Sequence, residues 1–411
     1  MEPYDVVIVG AGPAGLMAAI PCAAGGLRTL VLDGKETIGA KLLISGGGRC
    51  NVTNLKADEK DYQSGSLRTV RNILRSFPPE RTLQFFKDLG VEMVLEEGTK
   101  YFPKEQSAKV VLQALLQAAR RAGVVIEKGK KVSTVVSQEN LFRISGQDFE
   151  YSAKKLVIAT GGLSYPGTGS DGSGYALAKS LGHTLLATTP ALTPLLTHDP
   201  DWKSLSGITL PVECVLMAAG AKIARSEGAL LFTHVGFSGP AVLDISGSWL
   251  RCEKEPKLLL VNFFPERRED DLAAEWSALV VEHPDRSWKK SLMKYFPERL
   301  AEVLLKKSKI DARLRLDQIS RKDREIFVRS LFRYPVKVNG AQGYDKAEVT
   351  AGGIDLKEVD AKTLESKHCP GLFLAGEVLD VDGRIGGFNF QWAWASGAVV
   401  GQSILRVGRS H

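Results

Sequence analysis

Cysteine is scarce in this 411-residue chain, and the arrangement of the five present excludes several chemistries. Cys22, Cys50, Cys214, Cys252 and Cys369 are scattered, odd in number and never paired as CxxC. Such spacing argues against a disulfide framework, a structural zinc site or a dithiol electron relay, and no metal is expected. It suits a reducing compartment, so a cytoplasmic location is expected. No apolar run reaches bilayer-spanning length, and the chain enters a strand almost at once, so neither membrane attachment nor a leader is expected. Internal repeats, low-complexity tracts and an acidic tail are also lacking. What remains is ordinary soluble composition, 44% hydrophobic and 25% charged, in a chain long enough for two or three domains. The net charge of +7 leaves an anionic partner open, RNA included, though a basic soluble enzyme needs none.

The informative stretch is Asp5-Val-Val-Ile-Val-Gly-Ala-Gly-Pro-Ala-Gly15. A β-branched run, Val6 to Val9, predicts a buried parallel strand that ends in Gly10-x-Gly12-x-x-Gly15. Gly10 permits the tight turn, Gly12 keeps side chains away from a pyrophosphate, and Gly15 allows close helix packing. Pro13 suits the first helical turn, and Ala14 follows it in a helix predicted over 13–24. The helix directs unpaired N–H groups and its positive dipole end toward a diphosphate. A second strand, Thr29 to Leu32, ends in Asp33, placed to accept the ribose hydroxyls of an adenosine.

The span from Gly34 to Asn54 reads as a long functional loop covering a cofactor. Its glycines, including Gly48, let backbone N–H groups converge, while Lys41, Arg49, Asn51 and Thr53 supply donors. Helices are expected over 66–77, 79–89 and 107–122, a strand at 124–127, and a small meander from runs at 131–136, 141–144 and 149–151. Leu156 to Ala159 reads as a further buried strand, ending in Thr160, Gly161 and Gly162 beside the first. From 190 the texture changes to short β runs, with a hairpin at Gly220, and then from 266 to about 333 to charged amphipathic helix. Near the C-terminus Leu372 to Gly376 and Glu377 form another buried strand and acid. Gly386, Gly387, Phe388 and Asn389 then precede a helix over 392–405. Glycine loops at both chain ends suit FAD: Asp33 for the adenosine, Gly10 to Gly15 for the diphosphate, Glu377 for the ribitol. The last helix would stabilise charge on reduced flavin.

The segments GAGPAG, KLLISGGGRCNVTN, ATGGLSYPGTGSDGSGY, LLFTHVGFSGPAVLDIS, TAGGI and PGLFLAGEVLDVDGRIGGFNFQWAWASG resemble the bacterial HI0933-like flavoprotein family over nearly the whole chain. The resemblance implies an α/β fold: a glutathione-reductase-like FAD-binding Rossmann domain (three-layer ββα) with an inserted β-barrel-like plus helical domain. The domains expected are residues 1–190 and 346–411 for FAD, enclosing a cap of 191–345, with a β part near 191–264 and a helical part near 265–334. Gly34, Val132 and Asp171 join the residues above as cofactor-binding candidates. The sequence departs at Ala40, where relatives carry a basic residue; Lys41 can compensate. Only one dinucleotide fingerprint is present, so NADH or NADPH would bind transiently at the flavin face. The reaction expected is hydride transfer from flavin N5 to an electron-poor C=C bond. The alternatives are oxidation of small amines and reduction of uridine in ribosomal RNA.

Four residues are catalytic candidates. Cys50 is a general acid if the adjacent Arg49 lowers its pKa; otherwise it is a buried cysteine against FAD. Tyr165, before Pro166, would orient substrate or donate a proton. His234 would line a substrate cleft, or else serve as a structural hydrogen-bonder. Arg384 would reach an anionic substrate or the reduced flavin. Basic clusters at 267–268, 289–290, 306–307 and 321–322 suggest a patch for RNA phosphates, against interleaved acids that favour a solvated face. The small-molecule substrate and the oligomeric state are left open.

Overall fold

The computed structural model describes residues 2–408, apart from the side chains of Val407 and Gly408. Two compact units form: one holds the chain up to Ala191 and again from Tyr344, and the other is Leu192–Gly343.

In the first unit, β1 (Tyr4–Val9) leads through the glycine turn into α1 (Pro13–Ala24) and then β2 (Thr29–Leu32). Further along come α2 (Ala108–Ala122), β3 (Val125–Glu127), β4 (Thr134–Gln138), β5 (Leu141–Gly146) and β6 (Phe149–Ile158). The returning chain adds β7 (Leu372–Leu374) and α3 (Phe388–Gly408). Strands β3, β2, β1, β6 and β7 pair in parallel, in that order. Val6, Val7 and Ile8 are wholly buried, as the unbroken β-branched run requires when a sheet is covered on both faces. Each such side chain contributes about 1.5–3 kcal/mol of burial.

Two predicted features change. The runs near 149–151 and 156–159 are one ten-residue strand, β6. Its first half pairs with β5 in the antiparallel meander, and its buried second half lies between β1 and β7. The span 34–54 is not an irregular loop; it holds a helix at Ala40–Ile44, a tight turn at Ser45–Gly48 and a short strand at Thr53–Asn54. Helices α1 and α3 meet closely because Cβ atoms on Gly397 or Gly401 would strike the carbonyls of Ala14 or Ala18, at 2.3 and 2.6 Å.

The second unit is a seven-stranded antiparallel sheet. Its order is Tyr334–Val336, Lys257–Asn262, Thr209–Ala218, Ala221–Phe232, Gly236–Ser238, Leu195–Leu196, Gly340–Ala341. The two edge strands are joined by residues 337–339 alone, a reach of about 10 Å, so the sheet must curl toward closure like a barrel. Helices at Glu269–Glu282, Trp288–Leu292, Glu298–Lys307 and Arg321–Ser330 are inserted between neighbouring strands. They bury Trp276, Trp288 and Phe327 against one another. Among the described residues, no helix is long and apolar enough to cross a membrane.

Candidate functional site in the nucleotide-binding unit

The parallel strands of the first unit end at one level. Val9 stands in register with Leu32 and Ile158, and Ile158 with Leu374. The segments beyond continue the ladder: Gly10 N–H donates to Leu32, Ala159 N–H to Val9 and Ala375 N–H to Ile158. Asp33, the Gly10 loop, the Thr160 to Gly162 loop and Glu377 therefore leave the sheet along one carboxyl edge, where ligands gather in open α/β sheets.

At this edge Gly10 has φ +107°, and a Cβ there would lie 2.4 Å from the Ala159 carbonyl. Gly12 is different. No described atom lies within 4 Å of a Cβ built on it, and its backbone is extended at φ −78°. Gly12 caps α1 without a side-chain hydrogen bond, and Pro13 and Ala14 open the helix, so its first turn carries N–H groups without helical partners. Gly15 touches the Gly10 carbonyl and seats α1 on the turn. Asp33 accepts the N–H groups of Ala11 and Lys35, both at 2.8 Å, one on each carboxylate oxygen. Lone pairs remain for ribose hydroxyls. Gly34 lies against the stem of Lys131, next to buried Val132. Asp171 pairs with Lys131 at 2.7 Å and accepts Ser173 N–H. Burial works against its charge, but these donors prevail and hold it at about 2. Thr160 abuts the start of the helix at Ser173–Ser180, and Gly161 packs on Ser170.

Glu377 is engaged more fully than the sequence suggests. One carboxylate oxygen accepts Ser164 Oγ at 2.8 Å and Thr350 N–H at 2.9 Å, and the other pairs with Lys41 Nζ. Lys41 also contacts Ser164. Gly162 closes the group, since a Cβ there would strike Thr350 and Glu377. Gly376 sits on the Ala14 side chain and joins this group to α1. Glu377, expected to hold a ribitol, thus belongs to a fixed Lys41–Glu377–Ser164 cluster. Ser164 and Thr350 were legible as polar residues inside the quoted glycine motifs, but the sequence does not reveal their pairing.

At the other end Gly386 and Gly387 precede α3, and a Cβ on Gly387 would lie 2.8 Å from Asn51 Oδ1. That oxygen is buried without a hydrogen-bond partner among the described residues. Several expected donors here are already used. Thr53 Oγ donates to Gln391 at 2.7 Å. The Asn389 amide forms a reciprocal pair with the Gly383 backbone, at 2.8 and 2.9 Å, and so closes the turn before α3. The Phe388 carbonyl accepts Tyr62 OH. Arg49 turns from the glycines to Glu96 and Gln106 and lies over the Phe102 ring, although Gly48 beside it keeps its left-handed turn. Arg384 pairs with Asp61 at 3.1 Å. Cys50 is fully buried, and burial pushes its thiol up to about 12, opposite to the lowering by Arg49 that the general-acid reading needs.

Tyr165 stands half-buried at φ +52° with its N–H on the Tyr344 carbonyl; burial first, then the charge of Glu348, raises its phenol. Tyr175 has a buried hydroxyl with no partner among the described residues, and burial and Glu377 raise its pKa. His234 belongs to the second unit, exposed on the turn between two strands. The basic clusters of that unit are largely paired internally: Arg267 with Glu275, Lys289 with Glu298 and Glu302, Lys306 with Asp201, Lys307 with Asp199, Arg321 with Glu325. The solvated-face reading fits them better than a phosphate patch does.

These residues fit FAD. Open space at an uncapped helix start suits a diphosphate, Asp33 suits a ribose, and the orphaned Asn51 acceptor beside Gly387 suits a polar ring edge.

The comparisons agree. The family model described as HI0933-like protein Rossmann domain matches residues 4–403. A ribosomal RNA dihydrouridine synthase of Escherichia coli is 34% identical, covering 98% of this chain and 99% of its own. A 3-dehydro-bile acid delta(4,6)-reductase of Clostridium scindens is 33% identical, covering 96% and 98%. Mycobacterium smegmatis Sdh1, solved in complex with UQ1, shares the fold at 14% identity and a TM-score of 0.51, over 100% of this chain and 69% of its own. The chain is an oxidoreductase of the FAD-dependent class. With the glycine turn, the level strand ends and a family match over almost its full length, it belongs to the HI0933-like family.

Proposed function

We propose that the chain is an NAD(P)H-dependent reductase that delivers hydride through FAD to an electron-poor C=C bond. FAD, when bound, supplies the hydride from N5. The observation that carries the cofactor placement is the open space at Gly12 before the uncapped start of α1. There the Gly12, Ala14 and Gly15 amides would hold the diphosphate and Asp33 the adenosine ribose. Lys41 and Glu377 meet the polar middle of the cofactor, and Asn51 with the Gly386–Gly387 backbone its ring. The acceptor class rests on the two relatives. Dihydrouridine is uridine with hydrogen added across a ring C=C, and a delta(4,6)-reductase acts on olefinic bonds by name. Both acceptors are conjugated to a carbonyl, which takes up charge as hydride arrives.

Such a reduction needs a proton on the neighbouring carbon. Tyr165 supplies it in this reading: a phenol is protonated at neutral pH, and the residue follows Ser164, which binds Glu377. In this reading the inserted residues 192–343 select the acceptor. Uridine in ribosomal RNA is the second reading, favoured because a second relative of that name, from Haemophilus influenzae, is 34% identical over 97% of this chain.

Anaerobic addition of NADH or NADPH to the yellow protein is the test. Bleaching of the flavin followed by reoxidation with a conjugated enone supports the reading. Reoxidation by uridine-containing ribosomal RNA alone selects the second. Bleaching by a small amine, with none by nicotinamide, would overturn both.

A further inference from the structure

A second group of chemically active side chains lies in the first unit, outside the residues assigned to FAD. His183 follows the helix Ser173–Ser180, Glu358 ends the turn Leu356–Glu358, and His368 lies on the loop before β7. The ligand atoms of the three lie within 4.8 Å of one another. His183 Nδ1 is 3.1 Å from one Glu358 oxygen, and His368 Nε2 is 3.6 Å from the other. The second distance is too long for a hydrogen bond. Tetrahedral ligation at metal distances of 2.0–2.1 Å separates neighbouring ligand atoms by about 3.4 Å, so each Glu358 oxygen lies near ligand spacing from one imidazole.

We infer that His183, Glu358 and His368 form a binding site for a divalent transition metal, with zinc the best match. Two imidazoles and a carboxylate are borderline ligands suited to Zn²⁺, and three protein ligands leave a fourth position for water. The surroundings support each ligand. Ser366 Oγ holds His183 Nε2 at 2.8 Å and fixes the ring plane, and Thr184 N–H donates to Glu358 at 2.8 Å. The imidazoles stand edge to face with centroids 5.2 Å apart, and exposed His368 gives the ion a path from solvent. Bound metal would pin the chain leaving the first half of this unit to the chain that returns after Tyr344. The site is therefore a structural clip rather than part of the redox chemistry.

The experiment is calorimetric titration of tag-free, full-length protein with Zn²⁺, with melting followed alongside. Saturation at one ion per chain and a higher melting temperature are expected. Co²⁺ should give the visible bands of a tetrahedral N/O site. His368→Gln should weaken Zn²⁺ at least about tenfold while leaving flavin absorbance unchanged, and exposed His283→Ala should change nothing. Glu358→Gln should behave like His368→Gln. The inference is overturned if the wild type shows no saturable binding, or if His368→Gln and Glu358→Gln bind as tightly as it does. If His368→Gln fails to fold, the wild-type stoichiometry and Co²⁺ spectrum decide alone.

Discussion

Cys50 stands next to Arg49 in the sequence, but in the fold Arg49 turns to Glu96 while the cysteine side chain is enclosed. Its neutral thiol is fully buried, at about 12 against an ordinary 9.0. Because the folded value lies above the unfolded one, the stabilisation is complete below pH 9.0 and drains away as pH rises from 9.0 through about 12. Cys50→Ala should cost about 1–2 kcal/mol at pH 7 in urea denaturation, and this gap should narrow at pH 10. The variant should keep its flavin and its turnover; a lost turnover with intact flavin would restore Cys50 as an acid. Tyr165→Phe should retain flavin absorbance yet lower kcat at least about a hundredfold, since it removes the proposed proton donor. Sequence can suggest the identity of such residues but not their state. Nothing in the order of residues announces that Arg49 turns to Glu96, that the Asn389 amide is spent on Gly383, or that Lys41 and Glu377, 336 positions apart, meet at Ser164.

At the level of elements the glycine turn was readable because its signals are local. A β-branched run, glycines at fixed spacing, Pro13 at the helix start and Asp33 after the next strand all fall within 33 residues. Strand β6 reads as two runs in the sequence because its burial changes midway, from partial exposure in the meander to continuous burial between β1 and β7. Gly10 and Gly12 separate folding from binding. Gly10→Ala should destabilise the turn, since its φ and the Ala159 carbonyl both exclude a Cβ. Gly12→Ala meets no described atom and has an ordinary φ. It should melt no lower than wild type when stripped of flavin, yet bind FAD at least about tenfold more weakly because the methyl takes diphosphate space. Equal FAD affinity in Gly12→Ala, read by flavin fluorescence titration, would move the diphosphate elsewhere.

Over the whole molecule, the first unit is made of both chain ends and the second is inserted between Ala191 and Tyr344. Ala191 pairs with Val349 across a short sheet, so the insertion leaves and returns at nearby points. Replacing Leu192–Gly343 by a short Gly/Ser linker should therefore leave a folded, yellow protein that NAD(P)H still bleaches but that reduces no acceptor. In the sequence, the change of texture beyond Pro190 is the signal for an insertion. The curl of its sheet was visible only through the family resemblance, which implies a barrel-like part, because it depends on edge strands joined through residues 337–339. The central claim is hydride transfer from FAD to a C=C bond. Its most direct test is to photoreduce the protein without nicotinamide or oxygen, add acceptors singly and follow the return of flavin colour. The account predicts that a conjugated enone or ribosomal RNA uridine restores the colour and leaves as a product with two added hydrogens. Colour restored by oxygen alone, with every unsaturated acceptor recovered unchanged, would contradict it.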